Sequence, residues 1–296
     1  MKIALFVGGP KGTNFLRGFC GDANVELVVS YPSEGWRQDV YAEIQDICRD
    51  RRYKLMVRDD VRSADFASAG LVLLIGWQFL IKDLDRRFVV FHDSLLPKLR
   101  GFNPTVTALI AGETEFGVTA FSPIGGDAAV ADSGPVFGQE KFQIQYPATI
   151  LSVYEKLGHA YCRLVERVVQ AAALGPLSFS KQDGSKATYS IWRDEHDYRI
   201  NWAKSADEIS RFVDAVGWPY MGAKSLLQGR EIRIDRVEVG RDLVLVNRCP
   251  GKIWSLVDGI PEVVCGSGLL RILEAREADG TPVIFKSLRA RLGWVA

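Results

Sequence analysis

Apolar and polar positions along the first half of the chain switch between two periods. Short runs rich in apolar and β-branched residues occupy positions 2–7, 25–30, 71–75, 88–91 and 117–121, the length and composition of buried strands. Between them, residues 14–20 and 40–51 carry apolar residues at helical spacing. This alternation predicts an α/β architecture, a doubly wound and mostly parallel sheet in which ligands sit beyond the carboxyl ends of the strands.

The pattern changes over residues 146–175, where Ile150, Val153, Leu157, Leu164 and Val168 form the apolar stripe of a helix that stops at Gly175-Pro176. That handover predicts two domains, residues 1–175 and 176–296. In the second, residues 181–186 read as a loop. Ser205-Ala206-Asp207-Glu208 is a capping box that opens a helix with Ile209, Phe212, Val213 and Val216 on one face. Strand-like runs at 231–239, 243–246, 252–257, 262–265, 269–274 and 283–285, separated by Gly, Pro or Asp, predict a small open β-barrel beside that helix.

Composition narrows the class. A chain of 296 residues with 47% hydrophobic and 25% charged positions is balanced for a soluble protein with a sizeable core. A net charge of +1 supplies no global attraction to polyanions, and Arg49, Arg51, Arg52 and Lys54 form only a local basic run. The five cysteines are scattered and lack CxxC spacing, so neither a disulfide framework nor a metal site is expected. The first apolar run is halted by Gly8-Gly9-Pro10, too short for a signal peptide or a membrane span, which predicts a cytoplasmic location without membrane partners.

The candidate chemistry lies at strand ends. His92, one of three histidines, follows the run at 88–91 and precedes a Pro/Gly-rich loop, and Asp132 opens the turn Asp132-Ser133-Gly134-Pro135. Imidazole titrates nearest neutral pH, so this pair is a candidate acid–base couple. The plainer readings are a core histidine and a turn-forming aspartate. Gly8-Gly9-Pro10-Lys11-Gly12 after the first strand reads either as a tight turn or as a phosphate cradle with Lys11 as the contact, though it lacks GxGxxG.

His92-x-Ser94-Leu95-Leu96-Pro97-x-x-Arg100-Gly101, then Gly112-Glu113-Thr114-Glu115-x-Gly117-Val118-Thr119, then Asp132-x-Gly134-Pro135 and Gln139 resemble the folate-dependent formyltransferase superfamily. This superfamily includes methionyl-tRNA formyltransferase, glycinamide ribonucleotide transformylase and the sugar N-formyltransferases. Tyr198-Arg199-Ile200-Asn201-Trp202, Ser205-Ala206-x-x-Ile209 and Pro219-Tyr220-x-Gly222-Ala223 are similar to the C-terminal region of the tRNA and sugar enzymes, which ends in a small open barrel. The resemblance implies N10-formyltetrahydrofolate as formyl donor and a primary amine as acceptor, with an Asn, a His and an Asp sharing the chemistry. His92 and Asp132 match two of these positions, and Val90 stands where the family carries its Asn. Asn103 or a protonated His92 are the candidate substitutes for that donor.

By the same resemblance, Ile75, Gly76, Trp77, Gln78 and Phe79, with Ser94, Leu95, Leu96, Pro97, Arg100 and Gly101, look like the walls of the folate slot. Gly9, Pro10, Lys11 and Asp93 are candidates for contact with the acceptor, and Gln139 matches a structural glutamine. Trp36, Trp77, Trp192, Trp202 and Trp218 could stack on a base or fill the core. Three functions remain open: formyl transfer to a nucleotide-linked amino sugar, as in lipopolysaccharide O-antigen biosynthesis; methionyl-tRNA formyltransferase; and a catalytically silent formyltransferase-like binding protein. A homodimer is one assembly the resemblance allows.

Overall fold

The apolar runs of the first half become the centre of one sheet. A computed structural model describes residues 1–21, 23–32, 40–81, 84–127 and 130–293; Trp36 lies outside them. β1 (Lys2–Val7) leads into α1 (Gly9–Gly18), β2 (Asn24–Ser30), α2 (Val40–Asp50), β3 (Leu55–Val57), β4 (Leu71–Ile75) and β5 (Phe88–His92). β6 (Arg100–Gly101), α3 (Pro104–Ala111), β7 (Glu115–Phe121), β8 (Val136–Gln143), α4 (Ile150–Leu174) and β9 (Tyr189–Ser190) follow. The sheet order is β3-β2-β1-β4-β5-β7-β8, parallel from β3 to β5 and antiparallel from β5 through β8. Every residue of β4, and all of β1 after Lys2, is buried, which is why these strands read as unbroken apolar runs.

Chain direction across the sheet reverses between β1 and β4, so the carboxyl ends of β1, β4 and β5 open the crevice where α/β folds hold ligands. Two backbones meet closely there. The Gly8 N–H donates to the Ile75 carbonyl at 3.2 Å, and Gly76, at φ 61, would place a Cβ 2.5 Å from the Gly8 carbonyl oxygen. Glycine is therefore needed at position 76 for both reasons. Residues 9–12 are not a separate turn but the first turn of α1. Proline is tolerated there because its missing N–H would have no helical partner, and Gly12 lets the helix lie against Val7.

By contact density the chain forms two compact units, residues 1–105, 114–144 and 151–191, and residues 106–113, 145–150 and 192–296. The second contains α5 (Ala206–Val216), whose capping box forms: the Ser205 Oγ accepts the Glu208 N–H at 3.2 Å and the Glu208 carboxylate accepts the Ser205 N–H at 3.0 Å. It also holds β10 (Ala223–Leu227), β11 (Arg230–Gly240), β12 (Ile253–Val257), β13 (Ile260–Val264) and β14 (Leu269–Arg276), an antiparallel sheet in the order β10-β11-β14-β13-β12. Leu292 pairs with Leu227 of β10 while Arg291 pairs with Lys252 just before β12, so this dipeptide joins the two edges of the sheet.

Two expected strands are absent. Residues 243–246 and 283–285 run as irregular chain; Val244 is 99% and Val246 102% exposed, whereas Phe285 is buried without being part of a strand. No helix among the described residues is long and apolar enough to cross a membrane.

Candidate active site

His92 ends β5 and stands beside Thr119 of β7, which pairs in turn with Gln139 of β8. The imidazole is buried. Its Nε2 lies 2.8 Å from the Leu99 carbonyl oxygen, and because a carbonyl can only accept, Nε2 carries the proton. Nδ1 lies 3.5 Å from the Asp132 Oδ2, so the ring stands between two acceptors. The same oxygen of Asp132 accepts the Gly101 N–H at 2.8 Å.

The backbone around this pair is unusual. Leu99 (φ 55), Asn103 (φ 50) and Asp132 (φ 52) are three of the six non-glycine residues with positive φ among those described. Left-handed backbone at such residues costs of order 1–3 kcal/mol each and persists where the surroundings enforce it, often at functional sites. At Leu99 it aims the carbonyl at His92, and at Asp132 it turns the carboxylate toward Gly101.

Asp93 is also buried and is held separately. Its carboxylate accepts the Lys11 ammonium and the Thr105 hydroxyl, both at 2.8 Å, and the Tyr161 phenol at 3.2 Å. Burial pushes the carboxyl up, but the charges of Lys11 and His92 and the hydrogen bonds from Lys11 and Thr105 outweigh it and hold it down to about 2. The Tyr161 phenol is pushed well above its usual range by burial and by the adjacent carboxylate. Lys11 and Asp93, which the sequence offered separately as substrate contacts, are thus ion-paired with each other. Gly9 and Pro10 are buried in the first turn of α1.

The segment after His92 is fastened to the sheet. The Thr119 Oγ1 donates to the Ser94 carbonyl at 2.6 Å and accepts the Leu96 N–H at 3.0 Å, and the Gln139 Nε2 donates to the Leu96 carbonyl at 2.8 Å. Gln139 therefore braces the backbone of Ser94-Leu95-Leu96-Pro97. After β4, Trp77 and Phe79 pack edge-on to each other and to Tyr31, with ring centroids 4.7 to 5.6 Å apart, while Ile75 is buried and Gln78 is exposed. The Trp77 indole N–H is itself buried with no hydrogen-bond partner among the described residues. A buried donor left unpaired is costly; the indole is also packed edge-on against Phe6 of the apolar core.

Val90 is half-buried against the apolar cluster of Ala4, Phe6, Leu74 and Phe88. Placing Asn there would set an amide against hydrocarbon, so Val90→Asn is expected to destabilise the protein by about 1–3 kcal/mol, read as a lowered urea midpoint. An unchanged midpoint would show that the position reaches polar partners. Asn103 stands in its left-handed conformation directly before α3.

Sequence reasoning missed Gln182, which it left within a loop. The Gln182 carboxamide bonds to the Arg100 guanidinium and to the backbone of Asp132 and Gly134. No local pattern announces a contact spanning 48 residues or more of chain.

Known structures share this architecture. HypX from Aquifex aeolicus in complex with tetrahydrofolic acid superposes with a TM-score of 0.61 at 17% identity, over 98% of this chain but 46% of HypX, so the chain spans less than half the length of that relative. WlaRD, a sugar 3N-formyl transferase solved in the presence of dTDP and 5-N-formyl-THF, gives 0.63 at 16% identity over 92% of this chain and 97% of its own. The methionyl-tRNA formyltransferase from Clostridium thermocellum gives 0.57 at 15% identity over 81% and 94%. At such identities the likeness speaks for the fold. The sequence itself carries the kinship further: residues 57–169 match the formyl transferase family and residues 193–291 match the formyl transferase C-terminal domain, and the chain belongs to the formyl transferase family.

Proposed function

We propose that this protein transfers a formyl group from N10-formyltetrahydrofolate to the primary amine of a nucleotide-linked amino sugar, with His92 and Asp132 as the catalytic pair. The observation that carries this reading is the orientation of the imidazole. The Leu99 carbonyl holds Nε2–H, and Nδ1 is directed toward the Asp132 carboxylate at 3.5 Å. A proton released as the amine nitrogen bonds to the formyl carbon would be accepted at Nδ1, where the imidazolium would be held by a carboxylate on one side and a carbonyl on the other, and it would pass to N10 as the formyl C–N10 bond breaks and tetrahydrofolate leaves. Ile75-Gly76-Trp77-Gln78-Phe79 and the loop from Ser94 to Gly101 would hold the donor, which would supply an activated formyl carbon. Asn103 is the candidate replacement for the amide that Val90 lacks.

The small-molecule acceptor is favoured over tRNA by a net charge of +1, since tRNA binding draws on many phosphate contacts. The apolar setting of Val90 supports a second reading, a family member that binds folate without turnover. One assay separates them. Incubation with N10-formyltetrahydrofolate and a panel of nucleotide-linked amino sugars is expected to add one formyl group to an acceptor, detected by mass. Formylation of initiator methionyl-tRNA alone would replace the sugar by tRNA, and folate binding with no formylated amine of any kind would favour the silent reading.

A further inference from the structure

The chain that follows α4 returns to the catalytic loops and fastens them. Ser180 exchanges two backbone hydrogen bonds with Val136 at the start of β8, both 2.8 Å. Thr188 grips the loop after His92: its hydroxyl accepts the Leu99 N–H at 2.9 Å, its carbonyl accepts the Arg100 N–H at 2.9 Å, and its own N–H donates to the Pro97 carbonyl at 3.3 Å. Between these anchor points Gln182 reaches both sides. Its Oε1 accepts two bonds from the Arg100 guanidinium at 3.1 and 2.8 Å, and its Nε2 donates to the Asp132 and Gly134 carbonyls at 2.8 and 2.6 Å. Both lone pairs and both N–H groups of one carboxamide are thereby used.

We propose that Gln182 is a positioning residue for formyl transfer, tying the loop that orients His92 to the turn that carries Asp132 so that Nδ1 and the carboxylate keep their separation. The reason lies in the backbone. Leu99 and Asp132 both sit in left-handed conformations outside any helix or strand, so neither is held by regular hydrogen bonding. Their direct tie, Gly101 N–H to the Asp132 carboxylate, uses the oxygen that faces His92. Gln182 supplies a second tie that leaves that carboxylate free. Only a carboxamide of this length can serve: a carboxylate would face two carbonyl oxygens without a proton, and Asn is one methylene too short to span the gap.

The kinetic arm of the test rests on the proposed formyl transfer, whereas the structural arm does not. Gln182→Leu and Gln182→Glu are compared with the unsubstituted protein for kcat, for KM of each substrate, and for amide hydrogen exchange over residues 99–102 and 132–134. In Gln182→Leu, kcat is expected to fall about 10²-fold, the loss typical of a displacement near 1 Å, with KM little changed and faster exchange at Gly101. Gln182→Glu retains a partner for Arg100 but loses both donors to the Asp132 turn, so it should show the same signature. Should the leucine variant fail to fold, the glutamate variant decides. Normal kcat and normal Gly101 exchange in Gln182→Glu would overturn the proposal, as would a lower melting temperature with unaltered kcat and exchange. If the unsubstituted protein transfers no formyl group, the catalytic reading fails, and the exchange comparison still upholds or rejects the brace.

Discussion

Asp132→Asn is expected to lower kcat for formyl transfer by about 10²- to 10⁴-fold, the usual contribution of a positioned acid–base group, with little effect on folding. Asparagine is nearly isosteric with aspartate and keeps an oxygen for the Gly101 N–H, so the left-handed turn retains its tie. What it loses is the negative charge opposite Nδ1, and with it the partner that would stabilise a protonated ring. His92→Ala should be at least as damaging, because it removes the basic nitrogen itself. Steady-state rates at saturating donor, with circular dichroism to confirm folding, provide the measurement. Near-normal kcat in either variant would remove the pair from the mechanism.

Lys11→Met is expected to produce the largest change in stability, about 3–5 kcal/mol, the cost typical of leaving one member of a buried ion pair uncompensated. The Lys11 side chain is 18% exposed and that of Asp93 7%, so solvent offers the stranded carboxylate little relief. The pH dependence gives a sharper test. In the unsubstituted protein the carboxyl is held down to about 2 when folded and rises to its ordinary value when unfolded. Its stabilisation is therefore complete above the ordinary carboxylate range and fades as pH falls toward 2. Without Lys11, burial dominates and the folded carboxyl moves up, so lowering the pH from 7 to 5 should restore stability in the variant. Urea midpoints at the two pH values measure this; a variant as stable as the parent at pH 7 would mean the ammonium is not the partner that matters.

Legibility differed from element to element for identifiable reasons. β1 and β4 were readable because a strand buried on both faces needs an uninterrupted apolar run, and α5 because its capping box is written in four consecutive residues. β8 was not: alternate residues face solvent, and its sequence Val-Phe-Gly-Gln-Glu-Lys-Phe-Gln is too polar to stand out. The chain at 243–246 misled in the opposite sense, because exposed valines imitate a strand pattern. At the site, His92 and Asp132 could be picked out from their places at the ends of β-like runs and from the motif around them. The Leu99 carbonyl that sets the tautomer is a backbone group placed by a left-handed residue, and it leaves no mark in side-chain chemistry. Tyr161 lies 68 positions from Asp93 on a helix whose stripe reads only as core. Gln182 is silent in the same way.

The dipeptide Arg291-Leu292 carries a consequence for biosynthesis. As the polypeptide leaves the ribosome, β10 is complete long before its partner Leu292 exists, and the stretch preceding β12 must likewise wait for Arg291. Until then both margins of the nascent sheet present unsatisfied amides and carbonyls, the kind of surface to which other strands adhere. Joining the two margins of the sheet is thus a contact of large sequence separation, the kind that slows folding.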